Sequence, residues 1–376
     1  MAIPWLIGRT GLTAGLVVLG AACGSGAADS GGTDAAVGPG QGARAADASD
    51  GSRHEAGATG ADGGSGPGLD ATAGSGDSSA TDDASLTDSE SGAVDGAPGD
   101  AAASCAMSFP AAADFGKKGA FDVAIDCSAP TSVTADGTGC AIYHPTSMGQ
   151  GGLKHPVIVW GNGTAAPSAC TGDAHVFGEY DYLFNQWASH GFIVAVANTS
   201  STGSGTDMLS CLDWVEQQNT VAGSIYQGVV DVGNYGASGH SQGGGSTLNV
   251  GEDPRVRTTI PFMPYTVGGG FQYDPAAPTK QTGPMFLASG GQDNIATPST
   301  NQQPVFDASV VPTFWGTLVA ADHVSFAGGT QTDWLAPSTA WFRLFLMCDQ
   351  SARPVFYGPS CTLCTDSKWS VQRKNM

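Results

Sequence analysis

Between Gly24 and Ser104 the chain holds almost nothing that could build a core. The segment is nearly all Gly, Ala, Ser, Asp and Thr, with almost no aromatic or large aliphatic side chains. Such a composition cannot bury enough apolar surface to offset the entropy of ordering it, so residues 23–104 are expected to form a disordered linker. That expectation removes the two-domain reading that 376 residues would otherwise suggest. Nearly all the Phe, Tyr, Trp, Ile and Leu lie in residues 105–376, a length that suits one α/β domain with a single core.

The same split reinterprets the charge. Of the formal net charge of −20, about −12 falls in the tract, where the acids from Asp29 to Asp100 face only Arg44 and Arg53. The domain carries roughly −9, and Arg9 offsets one unit. The tract reads as a self-repelling spacer. No basic stripe occurs anywhere, which argues against a nucleic-acid partner.

Residues 1–22 read as a signal peptide. Arg9 and the amino terminus supply a weak positive region, Gly11–Leu19 is apolar but short for a membrane span, and Gly20-Ala21-Ala22 offers small residues for cleavage. Cys23 follows directly, so lipid attachment there, with membrane anchoring, is expected, although Gly20 stands where lipoprotein signals usually carry Leu. The protein is thus expected in the cell envelope or outside the cell, as a monomer. Eight cysteines remain, at 105, 127, 140, 170, 211, 348, 361 and 364. An even number in an exported chain favours structural disulfides over the metal or redox reading of Cys361-Thr-Leu-Cys364. Cys348 is expected to pair with Cys361 or Cys364.

Within the domain, short apolar runs alternate with amphipathic stretches, as in an open sheet with crossover helices. Strands are expected at 156–160, 192–196, 234–238, 256–262 and 284–288, with the last at 314–320. Helices are expected at 180–189 and 208–217, with a closing helix at 339–348.

Gly239-His240-Ser241-Gln242-Gly243 is G-x-S-x-G between a strand and a helix. A serine on a strained turn projects its Oγ above the sheet, the flanking glycines permit the close packing of that turn, and the helix N-terminus favours developing negative charge. Serine is a weak nucleophile without a base, and His323 is the one histidine that follows Ser241. Asp293, just beyond the 284–288 strand, is the preferred carboxylate to orient it. Asp307, Asp322 and Asp274 are the competitors. The oxyanion donors are expected to be the Gln242 backbone N–H and one from the 161–164 loop, with Gly163 first and Thr164 next. No G-x-G-x-x-G follows a strand and no H-E-x-x-H occurs, so no cofactor or metal is expected.

This Ser…Asp…His order implies an α/β-hydrolase fold, a mostly parallel sheet flanked by helices, and the short Ser241–Asp293 interval leaves no room for a lid domain. From about His155 to Cys364 the chain resembles the bacterial cutinases and poly(ethylene terephthalate) hydrolases. The resemblance is carried by Gly239–Gly245, by Asp293-Asn294-Ile295-Ala296, by Asp322-His323 and by Phe342-Arg343-Leu344-Phe345 with its trailing cysteines. It implies Ser241, Asp293 and His323 as the triad, and Tyr265 (where Trp is usual) and Ile295 as cleft residues, with Thr164 beside them. Two departures stand out: Gln242 replaces Met, and Asn162-Gly163 replaces a Gly–aromatic pair. Losing that aromatic suggests an aliphatic or smaller natural ester. The expected activity is carboxylic-ester hydrolysis through an acyl-serine, with polyesters and lipids as candidate substrates. An acetyl or feruloyl esterase acting on polysaccharides is the second reading, and a non-catalytic envelope binding protein the third.

Overall fold

The computed structural model describes residues 108–164, 169–171, 174–176, 178–329 and 331–376. The expected signal peptide, the linker and Cys23 lie outside them.

The chain order is β1 (Val123–Asp126), β2 (Cys140–Pro145), β3 (His155–Gly161), a small hairpin of β4 (Ala169–Thr171) and β5 (Ala174–Val176), α1 (Asp181–Ser189), β6 (Ile193–Ala197) and α2 (Thr206–Gln218). There follow β7 (Val230–His240), α3 (Gln242–Val250), β8 (Val256–Phe262), β9 (Met285–Gly290), α4 (Pro298–Ala308), β10 (Thr313–Leu318), α5 (Leu335–Leu346), α6 (Thr362–Thr365) and β11 (Trp369–Lys374). Nine strands form one sheet in the order β1-β2-β6-β3-β7-β8-β9-β10-β11. The six from β6 to β10 are mutually parallel, and β1, β2 and β11 run antiparallel to their inner neighbours. This is an α/β-hydrolase fold, and between β8 and β9 the chain makes only two 3-10 turns, with no inserted lid among the described residues.

The apolar runs are continuous because both faces of the sheet are covered. The two-residue period then deals alternate side chains to opposite cores. In β3, Ile158 and Trp160 join the cluster of Trp187, Phe262, Phe326, Trp341 and Phe342, whereas Val157 and Val159 join Met208, Leu212, Val215 and Tyr235. β6 divides the same way, with Val194 and Val196 on the first face and Ile193 and Ala195 on the second.

Two expectations about the C-terminal end are corrected. β10 is not the last strand, since β11 pairs along its whole length, Thr313 with Lys374 through Leu318 with Trp369. The helix at α5 does not close the chain, because α6 and β11 follow it. The cysteine expectation fails as well. Cys361 and Cys364 bond to each other across a separation of 3, so Cys348, itself disulfide-bonded, pairs with neither. The other described bridges are Cys127–Cys170 and Cys140–Cys211.

Candidate active site

The elbow between β7 and α3 explains its own sequence. Ser241 carries φ 59° and ψ −118°, a conformation that non-glycine residues rarely hold. A Cβ on Gly239 would stand 2.3 Å from the Gly243 carbonyl oxygen, and one on Gly243 would stand 2.0 Å from that of Gly161. The two glycines are therefore required by backbone contact across β7, α3 and β3. The Ser241 N–H donates to the Phe262 oxygen at 3.1 Å, and the Ser241 carbonyl accepts from Gly245 at 3.1 Å and Tyr265 at 2.9 Å. These bonds fix the strained residue from both sides.

Above the strand ends, His323 Nε2 lies 2.9 Å from Ser241 Oγ, and His323 Nδ1 lies 2.7 Å from Asp293 Oδ2. Asp293 Oδ1 accepts the backbone N–H groups of Ile295 at 2.9 Å and Ala296 at 2.8 Å, so both carboxylate oxygens are engaged. All three side chains are nearly closed off, at 8% exposure for Ser241, 6% for His323 and 4% for Asp293. The competing carboxylates are occupied elsewhere. Asp322 accepts from Val324 N at 3.1 Å and Ser325 N at 2.7 Å, Asp307 accepts from Gln303 within α4, and Asp274 pairs with Lys280.

Gln242 is the first residue of α3, so its N–H has no acceptor within the helix. Its side-chain amide is turned aside and donates to the Ser200 carbonyl. Gly161 pairs with Gly239 in register, which carries the following Asn162-Gly163-Thr164 loop past the elbow. Asn162 anchors that loop. Its Oδ1 accepts from Trp160 Nε1 at 2.9 Å, its Nδ2 donates to Ala197 at 2.8 Å and Thr199 at 3.1 Å, and its carbonyl accepts from Thr202 Oγ1 at 3.1 Å. Gly163 is buried and Thr164 exposed.

Apolar side chains lie on segments tied to this site, Tyr265 through its N–H to the Ser241 carbonyl and Ile295 through its N–H to Asp293 Oδ1. Tyr265 is half-buried and meets the Phe271 ring edge-on at 5.6 Å. Phe271 is 46% exposed with φ 54°, a strained setting for an aromatic, and Ile295 is 51% exposed beside Asp293. Phe271 had no sequence signal. The loop that holds it is Gly-rich and carries no strand or helix period.

A second layer was also missed. His240 is fully buried between the rings of His323 (centroids 4.6 Å apart) and Phe326 (5.0 Å). Its Nδ1 lies 3.0 Å from the Tyr180 hydroxyl. Burial, and then the proximity of His323, hold its pKa well below the usual histidine range, so it is neutral. The variable position inside G-x-S-x-G was the available clue, but the motif assigns it no role.

The sequence model of a family described as PET hydrolase-like matches residues 110–366. Among curated proteins, a bis(hydroxyethyl) terephthalate hydrolase of Streptomyces coelicolor is 28% identical over 236 residues, covering 61% of this chain and 68% of that protein. The Thermobifida alba cutinases est2 and est1 are 26% and 25% identical over 195 residues, each match covering 49% of this chain. The matches span 61% and 62% of those two proteins, less than two thirds of their length.

Proposed function

The chain belongs to the PET hydrolase-like family, and from that premise we propose that it is an exported serine esterase that cleaves bulky or polymeric carboxylic esters through an acyl intermediate on Ser241. The observation that carries the reading is the continuous hydrogen-bonded line from Ser241 Oγ through His323 to Asp293, at 2.9 and 2.7 Å.

In the proposed cycle Ser241 Oγ attacks the ester carbonyl carbon as its proton passes to His323 Nε2. The displaced π electrons collect on the carbonyl oxygen, which accepts from the Gln242 and Gly163 N–H groups. Collapse of this adduct breaks the bond to the alkoxide, which takes the proton from His323 and leaves as the alcohol. Water then repeats the sequence on the acyl-serine, with His323 as base, releasing the acid and restoring Ser241. Asp293 holds the Nδ1 proton and steadies the imidazolium in both halves.

The substrate class follows from the rim. Tyr265, Phe271 and Ile295 offer an apolar surface next to Ser241, suited to the acyl or aromatic portion of an ester too large to be enclosed. Bis(hydroxyethyl) terephthalate, named for the Streptomyces relative, is a first candidate, and aliphatic esters stand beside it because Asn162-Gly163 lacks the aromatic of the family's pattern. Export rests on the segment at 1–22 and is in keeping with the disulfides, which persist in oxidising compartments. Lipid on Cys23 would then tether the enzyme to a membrane. Hydrolysis of p-nitrophenyl butyrate tests the reading: Ser241→Ala and His323→Ala should each lose about 10³-fold or more in kcat with little change in Tm. Full activity in either variant would overturn it.

A further inference from the structure

Read as an oxyanion donor, the Gly163 peptide has no side chain of its own by which the fold can hold it. On one side the loop is fixed through Asn162. On the other, a Cβ placed on Gly163 would stand 2.8 Å from the Tyr180 hydroxyl and 3.2 Å from His240 Nδ1. The space in which a side chain would start is thus filled by the Tyr180–His240 pair. The Gly163 N–H also donates toward that hydroxyl, opposing the burial that pushes the Tyr180 pKa upward, so this one N–H is shared between Tyr180 and an oxyanion.

The pair is costly as packing alone. Tyr180 and His240 are 1% and 4% exposed and sit among Trp160, Phe184 and Phe326, where phenylalanine would fill the same volume. His240 Nε2 makes no well-formed hydrogen bond among the described residues, with only the His323 backbone acting on the ring. A buried polar nitrogen so weakly met in an aromatic cage calls for a role beyond filling space. The ring also lies against His323, so the pair touches both the general base and the oxyanion loop.

We propose that Tyr180 and His240 are positioning residues that set the Gly163 peptide in the oxyanion hole, and that the Tyr180 hydroxyl is the reason position 163 is glycine. The proposal rests on the Ser241 esterase reading. It concerns placement of the donor, so it predicts effects on kcat and leaves binding of a small substrate alone.

The test is a double-mutant cycle on the full chain with p-nitrophenyl acetate as substrate. Tyr180→Phe should lower kcat about ten-fold with KM within about twofold. Gly163→Ala should cost about 100-fold, the loss expected of one displaced oxyanion donor. In the Tyr180→Phe background, where the 2.8 Å clash is gone and only the 3.2 Å approach to His240 Nδ1 remains, Gly163→Ala should cost no more than about threefold. Independent, multiplying losses, or an unchanged kcat in Tyr180→Phe, would overturn the proposal. Should Tyr180→Phe fail to fold, His240→Phe keeps the ring against His323 while removing Nδ1, and about a ten-fold kcat loss is again expected. If neither variant folds, the pair is packing and the proposal falls. Ser241→Ala in parallel distinguishes the two levels. An active Ser241→Ala sinks the esterase reading, whereas a dead Ser241→Ala beside a fully active Tyr180→Phe sinks only the positioning pair.

Discussion

Ser241, His323 and Asp293 are far apart in sequence and meet because each follows the end of a parallel strand, β7, β10 and β9 respectively. Their meeting was legible because the Ser, Asp and His of such a fold follow that chain order, and His323 stands alone behind Ser241. What could not be read was the competition among carboxylates. Asp322 touches His323 in sequence, yet its Oδ1 accepts both the Val324 and Ser325 N–H groups, a local turn geometry that spacing does not reveal. At the cleft, Tyr265 is held by its backbone to Ser241 and by its ring to Phe271. An aromatic contact of this kind contributes about 0.5–1.5 kcal/mol beyond burial. Tyr265→Ala should therefore slow a bulky terephthalate ester by about ten-fold while p-nitrophenyl acetate changes little. Equal losses on the two esters, with a lowered Tm, would make Tyr265 a core residue instead.

At the scale of elements, the sequence reading succeeded where a run is buried on both faces, as in β3, β6, β8 and β9. It failed at β2, which is buried along its whole length between β1 and β6, and at the sheet edges. β1 is only four residues long, and β11 (Trp369-Ser-Val-Gln-Arg-Lys374) is polar and charged, as an exposed edge strand needs to be to avoid pairing with other chains. The disulfides failed for a different reason, since connectivity depends on three-dimensional proximity and not on spacing. Their contributions should differ with the loop each closes. Cys140–Cys211 ties β2 to α2 across 71 residues, whereas Cys361–Cys364 closes a separation of 3. Loop-closure entropy gives about 4 kcal/mol for the first and about 2 kcal/mol for the second. Replacing both cysteines of the 140–211 pair with alanine should thus lower Tm clearly more than the same change at 361 and 364, as measured by thermal unfolding. The reverse order would show that the C-terminal bridge holds β11 and α6 in place by more than chain entropy.

For the molecule as a whole, acid sensitivity follows from its buried histidines. His144, His155, His190 and His240 all have pKa values lowered from 6.5, chiefly by burial. A base whose folded pKa is depressed is protonated first in the unfolded chain. The unfolded state therefore gains protons, and stability is lost, as pH falls below about 6.5, with no contribution above about 7.5 where both states are neutral. Tm should be flat from pH 7.5 to 9 and should fall by several degrees from pH 7 to 5. The depressed carboxylates Asp253 and Asp349, held down by Arg255 and by Ser351 and Arg343, add a loss only below their ordinary range near 3.8. A Tm unchanged between pH 7 and 5 would mean that the buried histidines are solvated or paired differently.

In the proposed esterase Ser241 takes the acyl group and His323 drives it to do so. Incubation with a fluorophosphonate, followed by peptide mapping in a mass spectrometer, reads this directly because the probe stays on the activated nucleophile. One adduct is expected, on the peptide containing Gly239–Gly243, absent in Ser241→Ala and formed at least about 10²-fold more slowly in His323→Ala. An adduct on another residue, or labelling of Ser241 at an undiminished rate without His323, would contradict it.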